Sequence, residues 1–160
     1  MPRSRPASPT LFVVGGAEDR TGRATLLRRF VKLAGGRRAR IVLVPTASAF
    51  PEEVAATYAE VFTRLGAPVV DVVHPRVRDD AHDPAAVALL DRASAVFLSG
   101  GSQLKLSQLL PGTPVGAAVQ RVHDRGGVVG GTSAGASVMS DFMISMGEEG
   151  VTPRQRTSQL

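Results

Sequence analysis

Cysteine and tryptophan are absent from the 160 residues, and tyrosine occurs once, at Tyr58. Without cysteine, disulfides, thiolate nucleophiles and zinc–thiolate sites are excluded. Without tryptophan and with one tyrosine, few side chains offer a platform on which bases could stack. The net charge is +5, which alone would favour an acidic polymer. The arginines are scattered, however, with short clusters only at Arg28-Arg29 and Arg37-Arg38, so nucleic acid is not an expected partner. Lysine is scarce too, at Lys32 and Lys105 alone. No apolar run reaches the roughly 18 residues of a membrane span, so no membrane partner is expected. The opening MPRSRPASPT carries arginines with no long apolar stretch behind them, which speaks against a secretion signal and makes the cytoplasm the expected location.

What is present is the composition of one folded domain. Hydrophobic residues make up 43% and charged residues 21%. A chain of this length buries roughly 70% of its unfolded surface, enough for a real core. Five short apolar runs recur: LFVVGG (11–16), ARIVLVPTAS (39–48), PVVDVVHP (68–75), SAVFLSGG (94–101) and GVVGGTS (127–133). They lack polar alternation, the pattern of parallel strands buried on both faces. Helical periodicity lies between them. Val54, Tyr58, Val61, Phe62 and Leu65 form one stripe over 52–65, and Leu26, Leu27, Phe30 and Val31 form another over 21–33. Shorter helices are expected over 84–92 and 114–124, opened by Pro84 and Pro114, and from the cap Ser102 to Leu110. The alternation predicts a three-layer α/β/α domain with a mostly parallel sheet and right-handed crossovers. Residues 1–10 read as a flexible arm, 11–145 as the single α/β domain, and 146–160 as a loose tail.

Ligands of such sheets collect beyond the carboxyl ends of the strands. Glycines gather there: Gly15-Gly16 after the first strand, Gly100-Gly101 after the fourth, and Gly131 to Gly135 around Ser133 after the fifth. Gly131-Thr132-Ser133-Ala134-Gly135 fits G-x-S-x-G, the nucleophile elbow. A serine on a sharp strand-to-helix turn projects its hydroxyl into the open, and its neighbours two residues away must lack bulky side chains. The helix beginning at Ala134 aims its first N–H groups at the same point. The Ala134 amide is therefore a candidate oxyanion donor, with Gly101 as the second, since the fourth strand should lie beside the fifth.

A serine nucleophile needs a base. His123 lies inside an expected helix, His82 in a polar loop, and His74 at the end of a strand that the rest of the sheet separates from Ser133. None reads as the base, and each has a plain structural explanation.

VVGGAEDR (13–20), VPTAS (44–48), FLSGGSQLKLSQLL (97–110) and GGTSAGASVMSDFMI (130–144) together resemble the cyanophycinases of peptidase family S51, which also contains aspartyl dipeptidase. The resemblance implies a flavodoxin-like fold of the class I glutamine amidotransferase kind. It implies that Ser133 is the nucleophile, that Gly101 and Ala134 supply the oxyanion N–H groups, and that Gln103 contacts substrate. It implies a polymer substrate, cyanophycin or another aspartyl peptide, cleaved to β-aspartyl-arginine with no metal or organic cofactor. The family's catalytic histidine lies in a D-Q-H-F segment downstream of the elbow, which this chain does not contain. The family also carries a glutamate shortly before the proline that follows the elbow helix; this chain departs from that pattern, with Val151 two residues before Pro153 and the candidate acid Glu149, beside Glu148, slightly upstream. The chain thus resembles the N-terminal part of such an enzyme, expected to be weakly active or inactive alone. The fifth strand is then expected to form an exposed apolar edge, inviting self-association as a homodimer. Two other readings stand beside this one: an esterase of the α/β-hydrolase type, and a non-catalytic module that holds an anion in its glycine-rich loops.

Overall fold

The computed structural model describes residues 8–146 and 154–157. Five strands form one parallel sheet: β1 (Thr10–Val14), β2 (Arg40–Val44), β3 (Val69–Val72), β4 (Ala95–Leu98) and β5 (Val128–Thr132). Their order is β1-β5-β4-β2-β3, and every pairing is parallel. β4 and β5 are buried at every residue, as continuous apolar runs require of central strands.

Helices α1 (Thr25–Leu33), α2 (Pro51–Arg64), α3 (Pro84–Asp91), α4 (Gln103–Leu109), α5 (Pro114–Asp124) and the single turn α6 (Ala134–Ser137) fill the connections. Their starts follow local chemistry. Pro51, Pro84 and Pro114 stand in first turns, where a missing N–H costs nothing. The Asp83 carboxylate accepts from the Ala85 amide at 2.9 Å, and the Thr113 hydroxyl from the Gly116 amide at 3.1 Å. Ser102 caps α4 as expected, accepting from the Lys105 amide.

The helices form two layers. On one face Phe30, Tyr58 and Phe62 of α1 and α2 pack with Ile41 and Phe97 of the sheet. The rings of Phe30 and Phe97 meet edge-on with centroids 5.1 Å apart. On the other face Leu90, Leu106, Val115, Val119 and Val122 pack with Val96, Leu98 and Val129. This is the three-layer α/β/α domain that the pattern of apolar runs predicts.

Two features differ from expectation. β5 is no edge: it lies between β1 and β4, and β1 takes the outer position, exposing Leu11 and Val13. The last strand inserts beside the first because the connections carry the chain back across the sheet, which no run of residues encodes. The expected loose tail contains a strand, β7 (Arg154–Thr157), antiparallel to β6 (Phe142–Met146). A strand pair needs only backbone donors and acceptors, so apolar content does not predict it. Of the expected N-terminal arm, residues 1–7 lie outside the described residues.

Candidate active site

β5 runs straight into a turn at Ser133, where φ is 52° and ψ −113°, and α6 begins at the next residue. A positive φ is strained for a residue with a side chain. Packing enforces the turn. A Cβ on Gly131 would lie 2.3 Å from the Gly135 carbonyl oxygen, and one on Gly135 would lie 2.1 Å from the Leu98 carbonyl oxygen. Both glycines of the G-x-S-x-G pattern are therefore required by backbone-on-backbone contact. The Ser133 amide donates to the Val14 carbonyl at 2.9 Å, and the Ser133 carbonyl accepts from Ala136 and Ser137. Ser133 is exposed between the buried Thr132 and Ala134.

Loops after the two flanking strands approach from either side. A Cβ on Gly16, after β1, or on Gly100, after β4, would stand 3.4 Å from the Ser133 Cβ. Gly101 follows at φ 137°, so close to Ala47 that a Cβ would meet its carbonyl oxygen at 2.1 Å, and the Ser102 amide fastens the same carbonyl at 2.8 Å. Among the described residues, neither the Gly101 nor the Ala134 amide donates to a backbone acceptor. The glycine-rich ends of β1, β4 and β5 thus converge on one serine, as neighbouring strands must let them.

These walls bound a cleft of about 200 Å³ that includes Gly16, Glu18, Tyr58, Gly100, Thr132 and Ser133. Within it the Glu18 carboxylate accepts from Thr132 Oγ1 at 2.6 Å and from the Tyr58 hydroxyl. Burial, then the hydrogen bond to Glu18, pushes the Tyr58 phenol well above its ordinary range. The Arg20 guanidinium stands 5.7 Å from the Tyr58 ring centroid. Asp19 braces the loop behind: its carboxylate accepts from the amides of Ala24, Gly22 and Thr21, which holds it below the usual carboxylate range.

None of the three histidines lines this cleft. His74 is separated from β5 by the two strands β4 and β2, and burial, then the neighbouring Arg76, lowers its pKa. His82 lies in a 3-10 turn with Nδ1 3.1 Å from the Arg78 carbonyl, and His123 in α5 beside Asp124. Gln103 stands at the head of α4, where its amide donates to the Ile144 carbonyl at 3.1 Å. Glu148 and Glu149 lie outside the described residues. Glu18, Thr132 and Tyr58 escape the sequence reading as site residues. Glu18 sits in the GGAED segment that marks the end of the first strand, and Tyr58 reads as one more member of a core stripe.

The sequence profile of peptidase family S51 matches residues 11–158. The chain belongs to peptidase family S51. The cyanophycinase of Nostoc sp. (strain PCC 7120 / SAG 25.82 / UTEX 2576) is 40% identical over 147 residues, 91% of this chain and 49% of the relative. The cyanophycinase of Synechococcus elongatus is 36% identical over 151 residues, 94% of this chain and 47% of the relative. The chain spans about half the length of the curated relatives it matches. Among solved structures, a peptidase from an acI-B1 Actinobacterium superposes with a TM-score of 0.69 at 26% identity, over 83% of this chain and 57% of that one. A putative peptidase E protein from Listeria monocytogenes EGD-e gives 0.59 at 20% identity over 84% and 63%, a likeness of fold.

Proposed function

We propose that this S51 chain carries the nucleophile of a serine peptidase of the cyanophycinase type, acting on cyanophycin or another aspartyl peptide. One observation carries the reading: Ser133 stands exposed at φ 52° on a turn walled by the glycines of two neighbouring loops. In this nucleophile elbow the Ser133 Oγ attacks the scissile carbonyl carbon and loses its proton to a base. The carbonyl electron pair moves onto oxygen, where the Ala134 and Gly101 amides receive it. Collapse breaks the C–N bond, the leaving nitrogen takes up a proton, and an ester on Ser133 remains. Water hydrolyses that ester and restores the serine. Gln103 is the proposed substrate contact, exchanging the Ile144 carbonyl for one on the substrate, and Glu149 the proposed acid.

Among the described residues no histidine lines the cleft. With water taking the proton in place of a histidine, turnover is slow. Triads that lose one member keep only ~10³–10⁴-fold acceleration over water. The direct test incubates the chain at high concentration with cyanophycin and, in parallel, with a short-chain ester. Slow release of β-aspartyl-arginine that disappears in Ser133→Ala supports the proposal. Ester hydrolysis without polymer cleavage supports an esterase instead, and polymer binding without cleavage supports a binding module.

A further inference from the structure

No step of the reaction outlined above uses Glu18, yet its half-buried carboxylate stands in the Ser133 cleft. Oε2 accepts from the hydroxyl of Thr132, the residue that immediately precedes the nucleophile. Oε1 accepts from Tyr58, on α2. Glu18 itself belongs to the loop after β1. One carboxylate therefore joins three separate elements beside one serine. The choice of group is chemical. Each carboxylate oxygen accepts from one hydroxyl, whereas a side-chain amide would set an NH2 donor against one of the two.

The loop that Glu18 anchors needs such a tie. Gly16 and Ala17 both have positive φ, 107° and 54°, and Ala17 does so with a side chain. Gly16 is one wall of the cleft, in contact range of the Ser133 side chain. Ser133 in turn hangs from the Val14 carbonyl, two residues before Gly16. Any drift of the loop would alter both the wall and the strained serine turn.

We infer that Glu18 is a positioning residue, which holds the β1 loop and Thr132 together so that Ser133 keeps its exposed geometry; the inference rests on Ser133 being the nucleophile. Glu18 touches no reacting atom. It acts through Thr132 and the glycine wall, and Tyr58 fixes its second oxygen.

The chain supplies its own probe, because Tyr58 is the single tyrosine and tryptophan is absent. Phenolate absorbance against pH reports on Tyr58 alone. Glu18→Gln is expected to lower the Tyr58 midpoint. Thr132→Val, which frees Glu18 to accept more strongly from Tyr58, is expected to raise the midpoint when Glu18 is present and to leave it unmoved in Glu18→Gln. The second readout is the rate at which a fluorophosphonate labels Ser133, followed by intact mass. Glu18→Gln and Thr132→Val are each expected to slow labelling about tenfold or more. Thr132→Ser, which returns the hydroxyl, is expected to restore it. Labelling at the wild-type rate in a folded Glu18→Gln overturns the inference and leaves Ser133 as the nucleophile. If Glu18→Gln does not fold, the Thr132 pair decides: equal rates for Thr132→Val and Thr132→Ser overturn it. A wild-type chain that takes no label at Ser133 overturns the nucleophile and the positioning role together.

Discussion

The Leu98 carbonyl oxygen occupies the space that a Cβ on Gly135 would need, 2.1 Å away. The end of β4 is thus pressed against the first turn of α6, and only hydrogen fits between them. Gly135→Ala must push the two apart, and neither is a flexible side chain that can yield. Overpacking of this kind costs roughly 1–3 kcal/mol or more. Urea unfolding is expected to show Gly135→Ala and Gly131→Ala destabilised by at least that much, whereas Gly15→Ala, with nothing within 4 Å of its added Cβ, is nearly neutral. Equal stabilities across the three would show that the corner is looser than described.

Strain at the serine gives a second expectation. Ser133 has φ 52° with a side chain attached, a cost of roughly 1–3 kcal/mol. Ser133→Gly relieves it, against an unfolded-state entropy penalty of roughly 0.4–1 kcal/mol. Ser133→Ala removes the hydroxyl and keeps the strain. Thermal unfolding is therefore expected to rank Ser133→Gly above Ser133→Ala, and the reverse order would mean that the turn is unstrained.

Acid sensitivity follows from the loop behind the cleft. Amides of Ala24 and Gly22, and to a lesser degree Thr21, hold the Asp19 carboxyl below its ordinary value. A depressed folded-state value stabilises the fold above the unfolded pKa, and that contribution disappears as pH falls through the folded value. Asp80 is lowered by the same kind of contact, to the Arg76 and Val77 amides, and adds to the effect. Stability measured against pH is expected to fall less steeply on the acid side in Asp19→Asn than in the wild type. An unchanged acid slope would remove Asp19 from the account.

The parts legible in the sequence are those written in contiguous residues. Buried runs such as AVFL (95–98) and the stripe of α2 announce their elements because burial and period act locally. The serine turn is legible for the same reason, since Gly131 and Gly135 are dictated by contacts within one short corner. Strand order is different. That β1 outflanks β5 depends on how crossovers return across the sheet, and Val14 and Thr132 carry no sign that their strands lie side by side. The Glu18 tie is hidden by distance, because its partners lie 40 and 114 residues away. β7 pairs through its backbone, which leaves no apolar signature in Arg-Gln-Arg-Thr.

The central claim is that the exposed serine of the β5 turn is the nucleophile. Peptide mapping after prolonged exposure of the wild-type chain to a fluorophosphonate tests it most directly. The account predicts one adduct, on the peptide containing Ser133, and none in Ser133→Ala. An unmodified Ser133, or an adduct spread over other serines and still present in Ser133→Ala, would contradict it.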